Sequence, residues 1–172
     1  MLFENNEIDI TNLPKVESIN YESLLSDYKK VLIINWTLFF LLFPALPFLL
    51  ELIIQEQFQF WYFYIYYFII TVFYVIGLLV VKLGFPKKGY ALRKNDIVYR
   101  SGFFIHNITT VPFNRIQHIE IRQGIISRWY GLSKLKIYTA GGYGSGLYIN
   151  GISPKTAQQL KDYLSNAVNK DE

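Results

Sequence analysis

Two histidines and no cysteine limit the chemistry open to these 172 residues. His106 and His118 stand twelve residues apart, and no thiolate or tight carboxylate cluster completes a metal site around either. His118 and Glu120 would share one strand face. Without a nucleophile or a third orienting group, they read as an exposed pair and not as an acid/base couple. The run Gly141-Gly142-Tyr143-Gly144-Ser145-Gly146 offers backbone amides of the kind that cradle anions. It lacks the Lys-Ser/Thr ending of a phosphate loop and leads into a strand pattern, so it is expected to be a hairpin connection. No catalytic, cofactor-binding or metal-ligating residue is assigned, and an enzyme is not expected.

The cations have more to say. From Leu83 onward, thirteen Lys and Arg residues stand against five acids, whereas residues 1–30 carry three lysines against six acids. Arg93, Lys94, Arg100, Arg122 and Arg128, with Arg115, Lys134 and Lys136, are the candidates for a membrane-facing basic surface. A cation near an anionic leaflet is worth about 1 kcal/mol. Two readings stay open: a diffuse bias of positive charge toward the membrane, or a head-group pocket in which arginines bind bidentately. The diffuse one is expected. No readout motif for nucleic acid accompanies the basicity.

The elements that must position these residues begin with two apolar runs, Val31 to Leu50 and Phe60 to Val81, which contain no Asp, Glu, Lys, Arg or His. At about 1.5 Å per residue each reaches the roughly 30 Å of a bilayer core, and a two-helix transmembrane hairpin over residues 31–82 is expected. Lys29 and Lys30 precede the first run, Lys82, Lys87 and Lys88 follow the second, and the connection Glu51 to Gln59 is acidic. By the positive-inside bias both termini face the cytoplasm of a multi-pass protein in the cell membrane. Pro44 and Pro47 should bend the first span. Tyr64, Tyr66, Tyr67 and Tyr74 are placed to hydrogen-bond across to it, and Gly77 permits close approach. Residues 1–30 form an N-terminal segment, mobile over about 1 to 12. Tyr21, Leu24, Leu25 and Tyr28 recur at helical spacing there and predict a short interfacial helix from Asn20 to Lys30.

Beyond Gly89 the pattern turns to short β-rich runs: Tyr90 to Arg93, Ile97 to Phe103, Ile108 to Phe113, Ile116 to Arg122, Leu135 to Thr139 and Leu147 to Asn150. The first four are spaced for one antiparallel meander. Ile125 to Tyr130 fits a helical turn closed by Gly131 as a left-handed cap, with Trp129 and Tyr130 expected to pack into the core and membrane insertion as the alternative. Ser153-Pro154 opens a final amphipathic helix whose Ala157, Leu160, Leu164, Ala167 and Val168 share a face. This is an α+β arrangement with a strand array covered by one helix.

The runs TTVPFNRIQHIEIRQG (Thr109 to Gly124), RWYGLSKLKIYTAGG (Arg128 to Gly142) and GISP before the last helix resemble the YdbS-like bacterial membrane proteins with a pleckstrin-homology-like domain. The two preceding apolar runs extend the resemblance over nearly the whole chain from about residue 13. It implies a PH-like antiparallel β-barrel, partly open, with a C-terminal helix across one end, over residues 87–170. It supplies no catalytic residue. PH-like folds serve lipid binding, peptide binding and assembly alike, so fold leaves function open. The expected role is assembly with another membrane protein, such as one with related PH-like domains, and the alternative is direct recognition of anionic membrane lipids by the basic face.

Overall fold

The computed structural model describes residues 19–54, 60–103, 105–140 and 146–168. The glycine-rich connection over 141–145, the first 18 residues and the tip 55–59 lie outside them.

The chain begins with a two-residue strand, β1 (Glu22–Ser23), and continues through α1 (Asp27–Phe40), α2 (Leu46–Ile54) and α3 (Phe60–Gly84). Six further strands and two further α-helices follow, and among the described residues the seven strands form two antiparallel sheets. One sheet has the order β1-β2-β3-β4, with β2 at Gly89–Leu92, β3 at Asp96–Ser101 and β4 at Asn107–Pro112. The other has the order β5-β6-β7, with β5 at Ile116–Arg122, β6 at Ser133–Thr139 and β7 at Gly146–Ile152. α4 (Ile125–Trp129) joins β5 to β6, and α5 (Pro154–Val168) packs on β5 and β6.

The first apolar run is not one unbroken helix. Pro47 has no N–H to give to the Phe43 carbonyl one turn back, and α1 and α2 are separated by residues 41–45. That carbonyl instead accepts from Leu46 N–H (3.0 Å) and from the Tyr66 hydroxyl of α3 (2.8 Å). Tyr67 donates to the Pro44 carbonyl at 2.9 Å in the same way. Lower in the pair, Trp36 Nε1–H donates to the Tyr74 carbonyl at 3.1 Å, and the Trp36 ring occupies the space that a Cβ on Gly77 would need. Polar groups inside the apolar pair are thereby satisfied across it. Among the described helices, one, running from Phe60 into the 3-10 turn that ends at Lys87, is long and apolar enough to cross a membrane.

The expected helix over Asn20 to Lys30 is instead strand, turn and helix. Glu22 pairs with Tyr90 and Ser23 with Gly89, then Leu25 N–H donates to the Gly151 carbonyl of β7 at 2.9 Å. Four residues thus bridge the edge of one sheet to the edge of the other. Leu24 is buried in the core between them. The helical spacing of Tyr21, Leu24, Leu25 and Tyr28 gave way to the open edge of β2, whose backbone groups need partners.

The meander also differs from expectation. β2, β3 and β4 form it, but the 3-10 turn Phe113–Arg115 makes a corner, and the fourth strand opens the second sheet. Among the described residues the two sheets do not close into a barrel. Their shared core holds Ile97, Leu135, Ile137, Ile149 and Leu164, and α5 contributes Ala157 and Leu160 beside Leu164. Ser153 caps α5 by accepting from Thr156 N–H at 3.0 Å.

Tyr90 and Tyr99 also lie in this core, and burial pushes both phenols up, Tyr99 to about 12. A folded-state pKa above the unfolded value, roughly 10, gives stability that is present below pH 10 and lost as pH rises toward 12. We expect the denaturation midpoint of the full chain in detergent to fall steeply across that window. Tyr99→Phe should remove part of the slope, on the order of 2 kcal/mol; an unchanged slope would contradict the burial.

Candidate functional site

A polar cleft, the mouth of the two-sheet module, lies between β3, β4 and β7. In β3 and β4, Tyr99 pairs with Thr109 and Ser101 with Asn107, so the four lie on one side of the sheet. Tyr99 is buried, but Thr109 and Asn107 line a cleft of about 590 Å³ whose other wall is β7, from Gly146 to Asn150. Lys88 and His106 complete the rim. Burial lowers the pKa of the Lys88 ammonium, which stands 6.0 Å from the Tyr28 ring centroid. Hydroxyls, amides and one half-buried cation make a mouth suited to an anionic or hydrogen-bonding group, and its volume is in the range of small-ligand sites.

β4 itself is unusual. Residues Asn107, Ile108, Thr109 and Thr110 are all exposed, so this strand leans out of the sandwich with both faces in solvent. It is also terminal in its sheet, so one hydrogen-bonding edge meets no other strand among the described residues.

The basic candidates do not converge. Arg93 forms a bidentate pair with Asp96 across the β2–β3 turn, Nε to Oδ1 at 2.6 Å, and Lys94 is exposed in the same turn. Arg100 lies 4.4 Å from the Tyr21 ring centroid and donates to the Lys87 carbonyl. Arg122 is on the outer face of β5, donating to Glu120 Oε1 at 2.6 Å, and Arg128 is exposed on α4. Arg115 ends the corner turn. Lys134 and Lys136 lie over Tyr148 and Tyr138, at 4.4 and 4.1 Å from the centroids. Three of the five principal candidates are therefore already engaged within the chain.

His118 and Glu120 do share the outer face of β5, but Glu120 is held by Arg122 and, at 3.0 Å, by the Tyr138 hydroxyl. Arg122 first, then Tyr138, keeps its carboxyl below the usual range. Among the described residues no three His, Asp or Glu side chains gather as a metal site would require. Sequence reasoning did not find the mouth. Its signal was present in Thr109 and Thr110, adjacent polar residues that break the in-out alternation a packed strand would show.

The bacterial PH domain family profile matches residues 32–168, most of the chain. The chain belongs to that family. Similarity also reaches the UPF0699 transmembrane protein YdbS of Bacillus subtilis (strain 168), 32% identical over 76 residues, which are 44% of this chain and 46% of that protein. The match thus covers less than half of the relative's length. No solved structure matches the chain significantly. A bacterial PH domain with YdbS-like character, carrying one helix apolar enough to span, places this protein at a membrane.

Proposed function

We propose that this bacterial PH domain protein is non-enzymatic and mediates assembly with another membrane protein through its folded module. The observation that carries the reading is β4: a terminal strand, exposed on both faces from Asn107 to Thr110, beside a protein-lined mouth. A partner strand can add to such an edge, main-chain hydrogen bonds giving affinity and side chains giving selectivity. A membrane protein with a related PH-like domain is the partner class this reading favours. The module, residues 87–170, is carried on a two-span hairpin over 31–82 with both termini in the cytoplasm. Support comes from the hydrogen bonds of Tyr66, Tyr67 and Trp36 between the broken first run and α3, and from lysines at the domain end of both.

Charged residues on an exposed edge block pairing without loss of fold. Ile108→Lys with Thr110→Lys should therefore leave the domain folded and shift the complex extracted from native membranes in mild detergent down to the size of the free chain. An unchanged complex would reject the edge as the assembly site.

The second reading is direct recognition of an anionic lipid, and Lys88 at the mouth is the observation that favours it. Nanodiscs of equal charge but different head group separate the two. A strong head-group preference that Lys88→Gln abolishes would promote lipid recognition; equal behaviour in all of them, with a defined protein complex, supports assembly.

A further inference from the structure

Trp129 is 79% exposed and Ile125 is 77% exposed, contrary to the expectation that this segment packs its tryptophan into the core. The two residues are four apart on α4, so their side chains emerge from one face of that helix. In the same segment Gly131, at φ 61°, caps the turn, and Leu132 goes into the interior. The helix is thus firmly seated while its largest apolar groups face away from the domain.

What lies next to them identifies the occupant. α4 packs against α1, and Tyr130 is close enough to Lys30 to interact with it electrostatically. Across the domain end, Gly84 at the close of α3 abuts Phe103, and the Lys87 ammonium stands 4.8 Å from the Phe103 ring centroid. Two residues on, Ile105 is 73% exposed. One exposed apolar group thus stands beside the foot of α1 and another beside the foot of α3. Lys30 stands at the foot of α1, Lys87 at the foot of α3, and Arg128 on α4 between Ile125 and Trp129.

We propose that this end of the domain is seated in the interfacial layer of the bilayer, with Ile125 and Trp129 as a wedge beside α1 and Ile105 as its counterpart beside α3. Tryptophan favours that layer, where its ring is in a partly apolar medium and its N–H stays hydrated. The neighbouring cations meet anionic head groups. The wedge holds the domain at a fixed height and tilt, and it does not depend on whether β4 binds a protein or the mouth binds a lipid.

The sequence contains no cysteine, so single nitroxide labels can be placed without a background. The purified full chain, reconstituted into vesicles of phosphatidylethanolamine and phosphatidylglycerol, would carry a label at Ile125, at Trp129, or at Lys94 in the turn at the far end of β2. Collisions with oxygen, which partitions into lipid, are compared with collisions with a water-soluble nickel chelate. The expected ratio of oxygen to nickel collisions is several-fold higher at positions 125 and 129 than at 94. Equal ratios at all three would overturn the proposal. Low collision with both reagents at 125 and 129 would mean that protein covers the wedge, and would overturn the lipid assignment as well.

Discussion

Gly151→Val should release the N-terminal strap and lower the stability of the domain by about 3 to 5 kcal/mol. Two costs combine at this position. Its φ of 74° is a left-handed conformation that a β-branched residue adopts only under strain, and a Cβ there would overlap the Tyr28 ring. Gly151 also supplies the carbonyl that receives Leu25 N–H, so a shifted backbone loses the bridge between β1 and β7. Gly131 provides the internal comparison, because its φ of 61° is similar but nothing lies within 4 Å of the Cβ position. Gly131→Ala should therefore cost only about 1 kcal/mol, the backbone part alone. Thermal unfolding of the full chain in detergent, with Tyr28→Ala added to relieve the clash, measures each contribution. Similar losses for Gly151→Ala and Gly131→Ala would show that the Tyr28 contact is not tight.

Ile137→Asp should unfold the domain while leaving α3 in the membrane. Ile137 is fully buried at the centre of the second sheet, paired with Ile119 on one side and Leu147 on the other. The substitution removes a large packed side chain, worth about 2 to 5 kcal/mol, and places a carboxyl where no partner can solvate it. Together these approach the whole stability of a small domain, typically 5 to 15 kcal/mol. Limited proteolysis of membranes would read this as rapid cleavage within residues 89–168, with the chain still sedimenting with the membrane. Ile125→Asp, at an exposed position of the same domain, should retain protease resistance.

Most of the secondary structure was legible because local pattern and tertiary demand agree there. β5 occupies Ile116 to Arg122 as expected, α5 begins after the Ser153 cap, and Gly131 takes the left-handed conformation that ends α4. The misreadings share a different cause. The strap over Tyr21 to Tyr28 has helical spacing, yet the open edges of β2 and β7, more than sixty residues away in sequence, decide its structure. The split into two sheets depends on a corner at Phe113–Arg115 that no periodicity announces. Trp129 was expected in the core, with membrane insertion as the alternative, and it is exposed, because an apolar residue in a short turn carries no local signal of which side of the domain it will face. The basic residues were legible as composition only. Which of them bind intramolecular partners, as Arg93 binds Asp96 and Arg122 binds Glu120, depends on strand register and turn geometry.

The assembly role can be tested most directly at β4, in native membranes. A photoactivatable side chain at Ile108, which is exposed on that strand, is predicted to yield one protein adduct of discrete mass, lost when Thr110→Lys is introduced alongside it. Adducts to lipid alone, or protein adducts that persist unchanged with Thr110→Lys, would contradict the account.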